Sequence, residues 1–291
     1  MSCAESVRSS PPPATAGLTL VEVLMAAAVA LVIFTVLINL LSGTGTVQAR
    51  NQLQISVDDS IRSSLELMAS DLRQSVGPRV ILSTSPGLPT GLASYASSSS
   101  ALSVVQIPAA TLLSVLPPGG YPTTQNFSGV TSTALNASVS TCGATYGGGD
   151  YAMLTTETSS AWLQVDASSY CTGGSTSSTL KHSASSVSYT YTPAAVVGKV
   201  NVLRYAVQTV NGVSTLTRQQ FGGPVQTVAY DITALSVEYS ADGFTFTATP
   251  VQPRAIRLTL TGSRASGSKT SSLTLSTTVY MRDVQYTAPG N

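Results

Sequence analysis

The sequence predicts an α+β fold, with one long N-terminal helix followed by a domain of antiparallel strands. Three observations predict it. Residues 18–41 (LTLVEVLMAAAVALVIFTVLINLL) are an apolar run with one charge, Glu22. Residues 46–76 then place Leu53, Val57, Ile61, Leu65, Met68, Leu72 and Val76 at spacings of three and four, the period of an amphipathic helix. From residue 187 onward the period becomes two, the pattern of strands with one buried and one solvated face.

Composition narrows the function before any motif is read. The chain has 291 residues, 14 Lys+Arg, 13 Asp+Glu and one His, a net charge of +1. Only 9% of residues are charged, whereas a nucleic-acid binder needs a basic stripe, so no nucleic-acid partner is expected. One His and few carboxylates leave little material for acid–base catalysis, and the chain is expected not to be an enzyme. The 43% of hydrophobic residues is enough for a sizeable core.

The apolar run comes first. As a helix it extends about 36 Å, enough to cross a hydrocarbon core of about 30 Å. A cleavable secretory signal would carry a small-residue cleavage site behind the run. The residues there are Leu40, Leu41, Ser42 and Gly43, without an A-x-A pattern, so the run is expected to stay attached as a single-span membrane anchor. A charge inside such a segment costs at least about 2.5 kcal/mol and marks a functional position by default. Glu22 is near the start, so snorkelling to the interface is the bland alternative.

Gly17, then Leu18-Thr19-Leu20-Val21-Glu22-Val23-Leu24 and the apolar run, resembles the type IV prepilin signal, usually G-F-T-L-I-E-L. The departures are Leu18 for Phe, Val21 for Ile, and a leader, residues 1–17, that carries both Glu5 and Arg8. The resemblance implies cleavage after Gly17 by prepilin peptidase and N-methylation of Leu18. It also implies a pilin-like fold, a cytoplasmic N-terminus, a periplasmic head and later transfer into a pilus or pseudopilus. The implied partners are other minor or major pilins or pseudopilins, the peptidase and the inner-membrane assembly platform. Glu22 stands where the family keeps a glutamate. A carboxylate four residues from a free Leu18 amine, or from a neighbour's, removes the cost of an isolated charge in an apolar filament core. Glu22 is thus expected to register subunits during assembly.

Residues 42–78 are read as the amphipathic helix, loosened by Gly43 and Gly45 and stopped by Gly77-Pro78, with Asp58, Asp59, Arg62, Glu66 and Arg73 on its other faces. Residues 79–291 are the β-rich head. Residues 81–180 hold no Lys or Arg, and Ser and Thr supply 35 of the 100, which reads as a loop-rich, partly stranded variable region. Its strand candidates are 102–107, 150–156 and 161–166, and a linker reading is open for 84–100. Beyond it, 202–210 and 213–218 flank Asn211-Gly212, a hairpin with a type I′ turn. Leu235, Val237 and Tyr239 alternate with polar residues, and Asp242-Gly243 turns into a further strand over 244–248. Ile256, Leu258 and Leu260 alternate likewise, and Leu273, Leu275, Val279 and Met281 recur at even spacing. The patches Val202–Tyr205, Val237–Tyr239, Pro253–Leu258 and Val279–Arg282 resemble the PilW/GspJ group of larger minor pilins and pseudopilins. That resemblance implies a minor pilin of a pilus initiating or tip complex, or the J-type minor pseudopilin of a type II secretion system. A membrane-anchored surface adhesin is the rival of another class.

Cys3 is in the leader, and Cys142 and Cys171 remain as an even pair, which in an extracytoplasmic domain favours a disulfide over two buried thiols. Two Cys and the distant His182 cannot complete a zinc site, so no metal or cofactor is expected, and His182, in a Ser-rich stretch, reads as a solvated loop residue. Asp150, Asp166, Asp231 and Asp242 lack calcium-loop spacing. Arg254, Arg257, Arg264 and Lys269 are the one basic cluster and read as a solvated face.

Overall fold

The computed structural model describes residues 19–75, 80–83, 88–116, 127–132, 134–137, 146–156, 160–166, 171–173, 178–182, 187–191, 195–266 and 269–281. The chain divides into two compact units, residues 1–52 and 53–291. The architecture is α+β, as expected: one helix, α1 (Leu20–Arg73), then antiparallel strands.

In the first unit every described side chain of α1 from Leu20 to Asn39 is exposed, including Ile33 at 54% and Phe34 at 65%. The helix runs on through Gly43 and Gly45 without a break. A glycine in a helix costs about 1 kcal/mol against alanine, which long flanking runs of good helix formers offset.

In the second unit α1 buries the predicted stripe: Val57, Ile61, Leu65, Met68 and Leu72 are all 6% exposed or less. The helix ends at Arg73, where the Ser75 N–H and hydroxyl both bond the Leu72 carbonyl and satisfy one of its last free acceptors. Val76, Gly77 and Pro78 lie outside the described residues.

Sixteen strands follow among the described residues. They are β1 (Ala101–Gln106), β2 (Leu113–Ser114), β3 (Phe127–Ser132), β4 (Ala134–Ala137), β5 (Tyr151–Thr155), β6 (Ser160–Gln164), β7 (Cys171–Gly173), β8 (Ser178–Lys181), β9 (Val187–Tyr191), β10 (Val196–Lys199), β11 (Asn201–Val210), β12 (Val213–Gln220), β13 (Val225–Tyr230), β14 (Ile232–Ser240), β15 (Ala255–Ser266) and β16 (Lys269–Tyr280). Their sheets run β1-β11-β12-β13, β2-β10-β5-β6, β14-β15-β16, β3-β9 and β4-β8-β7.

The helix-side core joins the α1 stripe to Leu102 and Val104 of β1, Tyr205 and Leu216 of β11 and β12, and the apolar rows of β14–β16. β1 is buried on both faces, because Val105 points into a separate cluster with Met153, Trp162 and Val202. β5 is divided in the same way, with Met153 in that cluster and Ala152 and Leu154 in a third. Strands sandwiched this way read as unbroken apolar runs instead of alternation. Residues 88–100 are therefore no linker, and 84–87 lie outside the described residues. Thr90–Tyr95 is a 3₁₀ helix that buries Leu92 completely, Arg204 donates to the Ser94 carbonyl at 2.8 Å, and Ser97 is buried with its hydroxyl accepting the Ser103 N–H at 2.9 Å.

The β11–β12 hairpin is as predicted, with Asn211 at φ 51° and Gly212 at φ 80°, the left-handed pair that a type I′ turn needs. Residues 244–248 do not form the predicted strand. The Asp242 carboxylate accepts the Ser240 hydroxyl and the N–H groups of Phe244 and Thr245, which curls the chain and leaves only a bridge between Tyr239 and Thr247. The Phe244 amide above all, with the Ser240 hydroxyl and Thr245 amide, holds this carboxyl well below the usual carboxylate range.

At Gly262 on β15 the sheet comes close to the helix. A Cβ there would come within 2.8 Å of Val57 Cγ1, 3.1 Å of Ile61 Cδ1 and 3.3 Å of the Asp231 carbonyl. Gly262→Ala should destabilise the head by about 1–3 kcal/mol through overpacking, measured as a lower urea midpoint.

Candidate functional site

The predicted site residues fall in two regions. At the start of α1, Thr19 and Glu22 form a reciprocal capping box. The Glu22 carboxylate accepts the Thr19 N–H and hydroxyl at 3.0 Å each, and the Glu22 N–H donates to Thr19 Oγ1 at 3.4 Å. The spacing Thr-x-x-Glu that carries the prepilin resemblance is thus also a helix-start signal. The 20 residues Leu20–Asn39, which begin inside this box and include Glu22, are long and apolar enough to cross a membrane and wholly exposed. Gly17 and Leu18 lie outside the described residues, so the structure pairs Glu22 with Thr19 and is silent on the Leu18 amine.

In the head, Cys171 is on β7 with its backbone opposite Leu180, and Cys142 lies outside the described residues, as does any disulfide between them. His182 is not a solvated loop residue: it is 5% exposed and bridges Val165, because β8 continues past Lys181 to meet the end of β6. Two members of the basic cluster are neutralised where they stand. Arg257 meets Glu238 at 3.2 Å and lies over the Phe246 ring at 4.1 Å, and Arg264 meets Asp231 at 3.5 Å and Ser56 at 2.8 Å.

Sequence reasoning missed a buried polar cluster. Asp71 of α1 is 6% exposed, and three adjacent strands converge on it. Its Oδ2 accepts the Tyr205 hydroxyl of β11 at 2.5 Å and Arg218 Nε of β12 at 3.1 Å. Its Oδ1 accepts Gln106 Nε2 of β1 at 3.3 Å. Tyr205 and Arg218 are direct cross-strand partners, so the hairpin register itself sets the two donors side by side. Burial pushes the Tyr205 phenol well above its ordinary value, and the adjacent Asp71 carboxylate acts in the same direction. The phenol is therefore a permanent donor. A signal was present in the sequence, since Asp71 is three residues beyond Met68 and continues the buried face. Both Asp71 oxygens and the Tyr205 hydroxyl are engaged, so the cluster clamps helix to sheet.

An open groove of about 880 Å³ runs beside α1, lined among others by Ser56, Ser60, Tyr230, Asp231 and Arg264. Its one cation and one carboxylate are already paired with each other. Among the described residues no three His, Cys, Asp or Glu side chains cluster closely enough to hold a metal.

No protein-family model, no curated protein and no solved structure matches this chain.

Proposed function

We propose that this protein is a minor type IV pilin of the PilW-like kind, a non-enzymatic subunit that assembles with other pilins into the initiating or tip complex of a pilus. One observation carries the reading: the Gly17–Glu22 motif stands directly at the head of the exposed apolar helix, with its glutamate on the first turn. An ordinary anchor needs apolar length alone. A carboxylate at its start can cap the helix, but an ordinary anchor has no use for the whole Gly17-Leu18-Thr19-Leu20-Val21-Glu22 pattern with a glycine at the junction with the leader. The antiparallel head that buries the second part of α1 is compatible with the same reading.

In this mechanism the apolar segment serves twice. It holds the subunit in the inner membrane after the peptidase removes residues 1–17. It then leaves the bilayer and packs among neighbouring helices in the filament, which bury side chains that are exposed in the single chain. Glu22 meets the Leu18 amine, its own or a neighbour's, and sets the axial step between subunits.

The test is the mature N-terminus. Mass spectrometry of protein from cells with a working prepilin peptidase should find Leu18 first, carrying one methyl group. Gly17→Phe should leave residues 1–17 attached, because the peptidase accepts only a small residue there. An intact leader on the unaltered protein would remove the pilin reading and leave a plain membrane-anchored binding domain.

A further inference from the structure

We propose that the open groove beside α1 is a binding site for a neutral saccharide. Its volume of about 880 Å³ is that of a small-molecule site. Parts of α1, β13 and β15 meet there. The helix supplies Ser56, Ser60 and Ser63, which the spacing i, i+4, i+7 sets on one face. The end of β13 supplies Tyr230, an aromatic that keeps 58% of its surface exposed. Asp231, between β13 and β14, supplies a carboxylate, and β15 supplies Arg264.

Charge decides against most ligands. Arg264 and Asp231 are the only charged residues lining the groove among the described residues, and they meet at 3.5 Å. A phosphate, an acidic peptide or a nucleic acid would find no free cation there, and a cationic ligand no free carboxylate. A lipid chain would leave the serine rim without partners. A saccharide is neutral and two-sided, with C–H faces for apolar and aromatic side chains and hydroxyl edges for polar ones. The groove offers both surfaces, since Val57 and Val228 line it beside Tyr230 and the serines.

The polar rim is built before a ligand arrives. Arg264 donates to Ser56 Oγ at 2.8 Å, so Asp231, Arg264 and Ser56 form one chain from strand to helix. The Ser263 N–H donates to the Asp231 carbonyl at 2.8 Å and helps to hold Asp231 at φ 62°, a left-handed conformation uncommon for a residue with a side chain. Strain of this kind persists only where the surroundings over-determine it, and it gathers at ligand sites. Among the described residues the Ser60 hydroxyl and the Tyr230 phenol have no protein partner, so both are open to sugar hydroxyls. The inference does not depend on the pilin reading.

The experiment titrates full-length protein, in a detergent without a sugar headgroup, with cellotetraose, chitotetraose, maltotetraose and mannotetraose, and reads saturation transfer from protein to sugar by NMR. At least one should bind, and raising the salt should leave its affinity unchanged. Tyr230→Ala should weaken that sugar by about tenfold or more, whereas Tyr230→Phe, which keeps the ring, should stay within about threefold of the parent. Ser60→Phe fills the groove and should abolish binding. Tyr280→Ala removes a comparably exposed tyrosine from β16 and should change nothing. Trp162 fluorescence shows that each variant is folded. Saturation transfer to none of the sugars overturns the proposal. So does a loss shared equally by Tyr230→Ala and Tyr280→Ala, binding that survives Ser60→Phe, an affinity that falls steeply with salt, or a groove that takes a serine-rich peptide in place of the sugars.

Discussion

Asp71→Ala should lower the unfolding free energy of the head by about 3 kcal/mol, the low end of the loss when one partner of a buried ion pair is removed. The low end applies because the Arg218 side chain keeps 28% of its surface in solvent. The variant leaves the Tyr205 hydroxyl without its acceptor and removes the charged partner of Arg218, whose Nε keeps only the Tyr205 oxygen, while Gln106 Nε2 keeps the backbone carbonyl of residue 71. Asp71→Asn keeps the shape but not the charge and should fall between alanine and the parent. The triple change Asp71→Leu, Tyr205→Phe, Arg218→Met removes the carboxylate, phenol and guanidinium together and should cost less than Asp71→Ala alone, since the remaining Gln106 amide still has the backbone carbonyl of residue 71. Trp162, the single tryptophan and 6% exposed, reports the urea transition by fluorescence. A loss below about 1 kcal/mol for Asp71→Ala would show that the cluster does not clamp α1 to the sheet.

Glu22→Gln should abolish recruitment into the initiating complex while leaving cleavage and membrane insertion intact. The structure makes glutamine the informative choice. Glutamate and glutamine both complete a capping box, so Gln keeps the bond to the Thr19 N–H and the helix start. It removes only the charge that would neutralise the Leu18 amine. Glu22→Ala removes both. If recruitment, read by co-purification with partner pilins at equal membrane levels, is lost in Gln and Ala alike, the charge is responsible. If Gln behaves as the parent and Ala does not, Glu22 is a capping residue, and the registration role assigned to it is withdrawn. Insertion should not suffer in either variant, because removing a charge makes the segment more apolar.

Local signals read from the sequence agree with the structure where one short-range force dominates. The apolar run, the Val57–Leu72 stripe and the type I′ turn at Asn211-Gly212 each depend on neighbours within a few residues. The readings that failed share a different cause. Residues 97–100 lie in the stretch open to a linker reading, yet Ser97 is buried against Ser103 and the Ser99 carbonyl accepts the Val237 N–H of β14, a strand far away in the chain. His182 sits among serines and reads as solvated, but a strand continuation carries it into the interior. Residues 244–248 have strand composition, and the Asp242 carboxylate outcompetes the ladder for their amides.

The sequence by itself determined the class of the fold and the course of the chain: an apolar helix with a charged first turn, its amphipathic continuation, and a head of antiparallel strands. Periodicity suffices for this, because the direction in which each side chain points follows from the local geometry of helix and strand. The tertiary structure alone decided which elements meet. That Asp71 of the helix would find Tyr205, Arg218 and Gln106 on three neighbouring strands depends on strand order and register. So does the covering of the β14 edge by Ser99. Both are set by contacts between residues more than a hundred positions apart, Asp71 with Tyr205 and Ser99 with Val237, and a pattern confined to neighbouring residues carries no trace of such a pairing.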